Sequence, residues 1–89
     1  MKKSSEDHMI LAVHVTNRLK QAGRVQEILT RYGKHIKTRI GLHEANGRAT
    51  SPSGLMILEF IGSVKRMTAA QTDLNAVPGV EARNIVFEH

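Results

Sequence analysis

The order of apolar segments constrains the fold of this chain more than any other feature. Along 89 residues the pattern is extended, helical, extended, turn, extended, helical and extended. Two strand–helix–strand units of this length imply right-handed crossovers, which place both helices on one face of a single antiparallel sheet. The sequence therefore predicts an α+β fold, a ferredoxin-like βαββαβ sandwich with a four-stranded antiparallel sheet and two helices on one face.

The predicted strands are of two kinds. Residues 9–15 and 55–61 are apolar on nearly both faces, which is typical of central strands. Residues 36–42 alternate with a period of two, which indicates a half-exposed strand. Its two faces are predicted to be Ile36, Thr38, Ile40 and Leu42 on one side, and Lys37, Arg39, Gly41 and His43 on the other. A last strand is predicted from Val80 to Phe87.

Two segments have the three- and four-residue spacing of amphipathic helices. Gly33 follows the first helix at the position of a C-terminal cap, and Ser63 can cap the start of the second. Pro78 and Gly79 cannot continue the second helix. The predicted inward positions are Ala22, Val25, Ile28, Leu29 and Tyr32 in the first helix, and Val64, Met67, Ala70, Gln71 and Leu74 in the second.

Helices on one side of a sheet leave its other face uncovered. The alternation of side chains places apolar residues there as well: Ile10, Ala12, Leu55, Ile57 and Ile61. Soluble monomers seldom expose an apolar patch made of this many neighbouring side chains. We therefore expect a homo-oligomer, in the simplest case a dimer, that buries this face or continues the sheet across an edge.

Composition and length set outer bounds on the chain. Residues 1–7 are predicted to be a flexible polar arm, and residues 8–89 a single domain with a modest core. The absence of cysteine excludes disulfides and thiolate metal sites. No stretch approaches the roughly 20 apolar residues of a membrane span, and the N-terminus has no cleavage signal, so we expect a cytoplasmic location and no membrane partner.

Two stretches of the chain resemble a bacterial family of small ACT-like proteins, the iron-only hydrogenase system regulators. VTNRLKQAGRVQEILTRYGKHIKTRIGLHE is similar to that family's first strand end, helix and second strand, and PGVEARNIVF to its closing turn and strand. The resemblance implies an ACT-like ferredoxin fold and a role in regulating transcription or an enzyme. More distantly, the chain is similar to the C-terminal sensing domain of the nickel-responsive repressor, which shares this topology and assembles through its sheets.

The second resemblance raises the question of a metal site. The repressor carries a His-x-His pair near the end of its second strand and a cysteine on its third. Here His43 matches the second histidine, Gly41 occupies the place of the first, and no cysteine exists. Imidazoles suit nickel, copper or zinc, so His14 and His43 on the open sheet face are candidate ligands of a divalent metal, completed by a second subunit. Alternatively, both are ordinary polar residues of a half-buried sheet, and no cofactor is bound.

The start of the first helix is the candidate ligand site, formed by Asn17, Arg18, Gly23 and Arg24. Free N–H groups and a partial positive charge at a helix N-terminus favour a carboxylate or phosphate. In ACT domains the equivalent region often meets a neighbouring subunit to bind an amino acid. The Asp-Arg-Pro-Gly run typical of that region is Asn-Arg-Leu-Lys at residues 17–20, although Gly23 can partly substitute. The alternative is a solvated basic loop that caps the helix.

The formal net charge of +5 suggests a further alternative, association with nucleic acid or another acidic partner. RNA-recognition modules of this topology stack bases on aromatic residues of their central strands, where this chain has His14 and Phe60. Direct DNA recognition is not expected, because no helix-turn-helix segment precedes the domain.

Catalytic motifs are absent from the sequence. It has no Ser-His-Asp set, no P-loop and no paired carboxylates within an apolar segment, so we expect a non-catalytic protein. Glu59 interrupts the apolar third strand and requires a partner, either Arg39 or a histidine of the sheet face. We interpret it as part of an interface salt bridge.

Overall fold

The computed structural model describes residues 8–16, 18–42 and 54–88, without the side chains of Arg18, Leu19 and Leu42. Its elements are β1 (His8–Val15), α1 (Arg18–Arg31), a 3-10 turn (Gly33–His35), β2 (Ile36–Leu42), β3 (Gly54–Phe60), α2 (Val64–Asn75) and β4 (Val80–Phe87). The strands form one antiparallel sheet in the order β2-β3-β1-β4. The predicted βαββαβ architecture is confirmed, with β1 and β3 as the inner strands.

The predicted N-terminal arm, residues 1–7, and residues 43–53 between β2 and β3 lie outside the described part of the chain. The boundary between the arm and the domain therefore stays a prediction. Among the described residues, none of the helices is long and apolar enough to cross a bilayer.

The core lies between the sheet and the two helices. Every second residue of β1 points toward the helices because side chains alternate along a strand. Leu11 on β1 pairs with Leu58 on β3, and neither has any exposed surface. Met9 pairs with Phe60 in the same way, and both are buried. The helices close this layer with buried residues that include Val25, Ile28, Leu29, Met67, Ala70 and Leu74.

The buried stripe of α1 begins one residue earlier than predicted. Gln21 is buried, whereas Ala22 is exposed, so the prediction for Ala22 was wrong. Gln21 lies four residues before Val25 and seven before Ile28, which places it on the same side of the helix as those core residues. Ala22 is four residues before Gln26 and shares its exposed side.

The ends of the helices match the sequence only in part. Ser63 caps α2 as predicted, since its Oγ accepts a hydrogen bond from the Arg66 N–H at 3.2 Å. Val64 is 42% exposed, because as the first residue of α2 it lies on the margin of the buried stripe. Gly33 is not a left-handed cap: among the described glycines only Gly62 and Gly79 have positive φ. Instead, α1 is followed by the 3-10 turn, in which the His35 N–H donates to the Tyr32 carbonyl at 2.9 Å.

A β-bulge at Lys37 changes the faces of β2. Ile36 pairs with Phe60, but Thr38 pairs with Glu59, so Lys37 is an extra residue in the ladder. The extra residue reverses the alternation and puts Ile36 on the helix side of the sheet. The predicted single face containing both Ile36 and Ile40 was therefore wrong. The bulge also turns Arg39 toward α1, where its Nη2 donates to Gln26 Oε1 at 2.7 Å.

A polar cluster joins the two helices. The Tyr32 hydroxyl donates to Asp73 Oδ2 at 2.6 Å, and Arg31 Nη1 lies 3.3 Å from the same oxygen. The hydrogen bond to Asp73 raises the pKa of Tyr32, and burial of the phenol and the negative charge of Asp73 raise it further.

Replacing Tyr32 with Phe removes this hydrogen bond, and we expect the free energy of unfolding to fall by about 1–2 kcal/mol in urea denaturation at pH 7. Thr68→Val is the control, because it removes an exposed hydroxyl that bonds only within α2. Equal stability of Tyr32→Phe and the native chain would contradict the prediction.

The cluster also predicts a pH dependence. The folded-state pKa of Tyr32 lies above its ordinary value of 10.0, so its stabilising contribution is present below that pH and is lost as pH rises through the folded-state pKa. The native chain should lose stability in this alkaline range more steeply than Tyr32→Phe. Parallel pH profiles of the two proteins would show that the tyrosine makes no such contribution.

Candidate functional site

The start of α1 is positioned by the turn that precedes β4. The Thr16 N–H donates to the Gly79 carbonyl at 2.8 Å, which ties the end of β1 to that turn. Gly79 has φ +80°, a conformation that favours glycine. The sequence signal for this turn is the Pro78-Gly79 pair.

The predicted ligand residues are described only in part. Asn17 lies outside the described residues, and Arg18 begins α1 but its side chain is not described. Gly23 and Arg24 are adjacent, exposed positions of α1. A Cβ added at Gly23 would have no atom within 4 Å, so the helix backbone there is open to approach from solvent. The four-residue site therefore stays a prediction, with two of its members on an accessible helix surface.

Arg24 belongs to a charged stripe along α1. Lys20, Arg24, Glu27 and Arg31 follow at spacings of four, three and four residues, which places them on one side of the helix. Arg31 at the end of this stripe is paired with Asp73, and all four residues are exposed. The stripe offers cationic groups along the helix to an anionic ligand.

Of the two candidate metal ligands, His14 alone lies among the described residues. His14 is exposed on β1, directly between Leu55 of β3 and Glu81 of β4 in the sheet register. His43 lies outside the described residues. The part of the chain that the structure describes contains no group of three or more His, Asp or Glu side chains that could hold a metal ion. The His14–His43 site stays a prediction.

The sheet face opposite the helices, called the open face below, is largely apolar. The register puts the predicted residues Ile10, Ala12, Leu55 and Ile57 on this face, and Ile61, just after β3, is 45% exposed. Three further apolar residues of this face were not predicted from the sequence: Ile40 is 48% exposed, Ile85 55% and Phe87 56%. The alternation of residues 80–87 carried the signal for the last two, while the bulge at Lys37 was needed to assign Ile40.

The charged groups of the open face have partners within the chain. Glu59 Oε2 lies 3.5 Å from His8 Nδ1, and the Thr38 hydroxyl donates to Glu59 Oε1 at 3.2 Å. The predicted partner is therefore a histidine of the sheet face, and the alternative partner Arg39 bonds Gln26 instead. At the other end of the face, Glu81 and Arg83 of β4 form an ion pair.

Positive charge is concentrated on the helix side of the sheet. The basic residues of α1, the 3-10 turn and α2 outnumber the acidic residues there, which are Glu27 and Asp73. Those basic residues are Arg18, Lys20, Arg24, Arg31, Lys34, Lys65 and Arg66. On the open face, the described cationic side chain other than histidine is Arg83, which is paired with Glu81. The two sides of the molecule therefore differ strongly in charge.

No protein-family model and no curated protein matches the chain. Solved structures do match. An uncharacterized protein from Thermotoga maritima superposes with a TM-score of 0.76 and 21% identity, over 91% of this chain and 98% of that one. The ACT domain from GTP pyrophosphokinase of Chlorobium tepidum follows, with a TM-score of 0.67 and 12% identity, over 88% and 96%. The chain has an ACT-like, ferredoxin-like fold.

A PII-like signaling protein from Thermus thermophilus is also similar to the chain, with a TM-score of 0.55 and 15% identity, over 93% of this chain and 89% of that one. At these identities the likeness establishes the fold and leaves the activity to be argued from the residues. The ACT-like fold agrees with the fold expected from the resemblance to iron-only hydrogenase system regulators.

Replacing Gly23 of α1 and Gly79 of the turn before β4 with alanine should change stability in opposite directions. Gly23→Ala should raise the free energy of unfolding by about 0.5–1 kcal/mol, because alanine fits the open helix position and orders at lower entropic cost. Gly79→Ala should lower it, because φ +80° is strained for alanine. Denaturant melts of both variants test this contrast. A destabilised Gly23→Ala would mean that the helix around Gly23 is not regular.

Proposed function

We propose that the chain is a non-catalytic regulatory domain that senses a small ligand, or docks onto a partner protein, and that works as a homo-oligomer. The observation that supports this function is the ACT-like fold, shared with a domain of a GTP pyrophosphokinase and with a PII-like signaling protein. The charge distribution agrees with it, because the basic helix side is suited to an anionic ligand and the apolar open face to self-association.

The ligand we favour is a small molecule with a carboxylate or phosphate group, bound at the start of α1. Asn17, Arg18 and Arg24 would contact the anion, and Gly23 would allow close approach to the helix backbone. Support comes from the open space over Gly23 and from the exposed cationic stripe that contains Arg24. The N-terminal end of α1 adds a partial positive charge.

The resemblance to iron-only hydrogenase system regulators suggests the regulated process. We propose a cytoplasmic protein that regulates transcription or an enzyme, and whose ligand-bound state acts on that target. The gene neighbourhood tests this proposal. Hydrogenase maturation genes near the gene for this chain would favour a role in a hydrogenase system, and their absence would weaken the proposal.

The experiment is a thermal-shift screen with amino acids and nucleotides, followed by calorimetric titration of each hit. A ligand at a hundredfold excess over its Kd adds about 2.7 kcal/mol of stability, which gives a readily measured rise in Tm for a domain of this size. The double variant Arg18→Ala/Arg24→Ala should lose at least about 90% of the ligand affinity, because it removes both proposed anion contacts.

The matched control is Lys65→Ala/Arg66→Ala, which removes the same charge from α2. It should keep the ligand affinity within about twofold, because a distant surface charge acts only through a screened field. Unchanged affinity of the α1 double variant would exclude this site. Equal loss in both variants would show a general charge effect instead of a site.

One alternative function, a nucleic-acid-associated basic protein, is favoured by the concentration of Lys and Arg on the helix side. It predicts oligonucleotide binding whose affinity falls steeply with salt, in proportion to the number of phosphates neutralised. A metal-sensing domain is the other alternative. It predicts nickel or zinc binding that is lost in His14→Ala and in His43→Ala.

A further inference from the structure

The open face is continuous across all four strands of the sheet. Ile57 of β3 stands in register between Ile40 of β2 and Ala12 of β1. In the adjacent row, Ile10 of β1 stands in register with Ile85 of β4. Arg83 of β4 completes the first row and Glu59 of β3 belongs to the second, so apolar side chains extend from one edge of the sheet to the other around these two charged residues. Such a surface is a stable arrangement in water only when something apolar covers it.

The area of the open face suits a dimer of a small protein. Four strands about 4.8 Å apart and seven residues long at about 3.3 Å each project to about 440 Å² per copy. Side chains that stand up from the sheet expose more surface than this projection, so two copies would bury on the order of 1,000 Å², the lower range of specific interfaces. The face of a second identical sheet has the matching size and twist.

Charge disfavours contact between two copies through their helix sides. Two chains that each carry a formal charge of +5 repel one another wherever the helix sides meet. On the open face, Glu81 and Arg83 compensate each other's charge within each copy, and Glu59 contacts His8 and Thr38. Contact through the open faces therefore brings fewer charges of like sign together than contact through the helix sides.

The edge strands are poorly suited to continuing the sheet. At the outer edge of β4, the Asn75 side chain accepts from the Ala82 N–H at 2.7 Å and donates to the Ala82 carbonyl at 3.1 Å. Gln71 Nε2 donates to the same carbonyl at 3.0 Å, so side chains of α2 occupy both backbone groups of Ala82, which a new strand would otherwise use. The other edge, β2, carries the bulge at Lys37. Pairing at β2 would leave Ile85 and Phe87 of the opposite edge in water.

We propose that a second copy of this chain packs on the open face, sheet against sheet, related by a two-fold axis in the plane between the sheets. The apolar side chains of Ile40, Ile57, Ile85 and Phe87 interdigitate there with those of the partner. This assembly specifies the homo-oligomer on which the proposed function rests, and it decides between the two modes that the sequence allows. It places both helix layers, with their basic residues, on the outside of the dimer.

The first test is sedimentation velocity of the native chain and two variants at 1–100 μM. The native chain should sediment as a dimer. Ile85→Lys places a charge on the open face and should raise the dimer Kd by about a hundredfold or more, because like charges would meet in a desolvated interface. Val64→Lys is the matched control: Val64 is also a half-exposed branched residue, at 42%, but it lies at the start of α2. Its Kd should stay within about threefold of the native value.

Cross-linking gives a second test that does not depend on a disruptive charge. Because the chain has no cysteine, single Ala→Cys variants report one position each. Ala12→Cys lies at the centre of the open face, close to its symmetry mate, and a short bis-maleimide should join two copies. Ala22→Cys, exposed on α1, should remain uncross-linked under the same conditions.

Three results would overturn the proposal: a native monomer at 100 μM, a dimer that survives Ile85→Lys unchanged, or cross-linking at Ala22→Cys and not at Ala12→Cys. These results are independent of the ligand experiment. A ligand response by a monomer would refute the face-to-face dimer and leave the α1 site standing. A dimer without any ligand response would support the face-to-face dimer and refute the α1 site.

Discussion

The antiparallel pairing of β1 with β3 is the contact on which the rest of the structure depends. Leu11 lies opposite Leu58 with no exposed surface, and Met9 lies opposite Phe60. Because the side-chain period of a strand is two, a slip of one residue would exchange every buried side chain for one from the open face. The helices α1 and α2 fix this register, because they bury the core side of both strands. The positions of β2 and β4 at the two edges follow from this central pair.

The same alternation gives the molecule two unlike sides. One set of strand residues is buried beneath the helices, whose outer surfaces carry most of the positive charge of the described residues. The other set forms the open face, where apolar side chains surround the Glu81–Arg83 ion pair and the contact between Glu59 and His8. Separation of these properties lets one side associate with a second copy while the other remains available to an anionic ligand. The proposed regulatory function uses both sides.

Local irregularities determine how these sides are completed. The bulge at Lys37 turns Arg39 toward Gln26 and leaves Ile40 on the open face. At the other edge, the amide of Asn75 bonds both backbone groups of Ala82, so a side chain of α2 occupies the groups that a fifth strand would use at that residue. Each irregularity involves one or two residues. Together they disfavour the addition of a strand at either edge of the sheet and leave the open face available for packing.

The sequence by itself determined the element order, the two inner strands and most of the core, because apolar periodicity reports directly on which side chains avoid water. It also identified the apolar surplus at Ile10, Ala12 and Ile57. Tertiary structure alone decided two further features: the bulge that puts Ile36 on the helix side of the sheet, and the choice of His8 over Arg39 as the partner of Glu59. These depend on distances between residues remote in the chain, which no local pattern encodes. The candidate ligand site was predictable only as residue types near a helix start, since an anion site depends on where side chains converge in space.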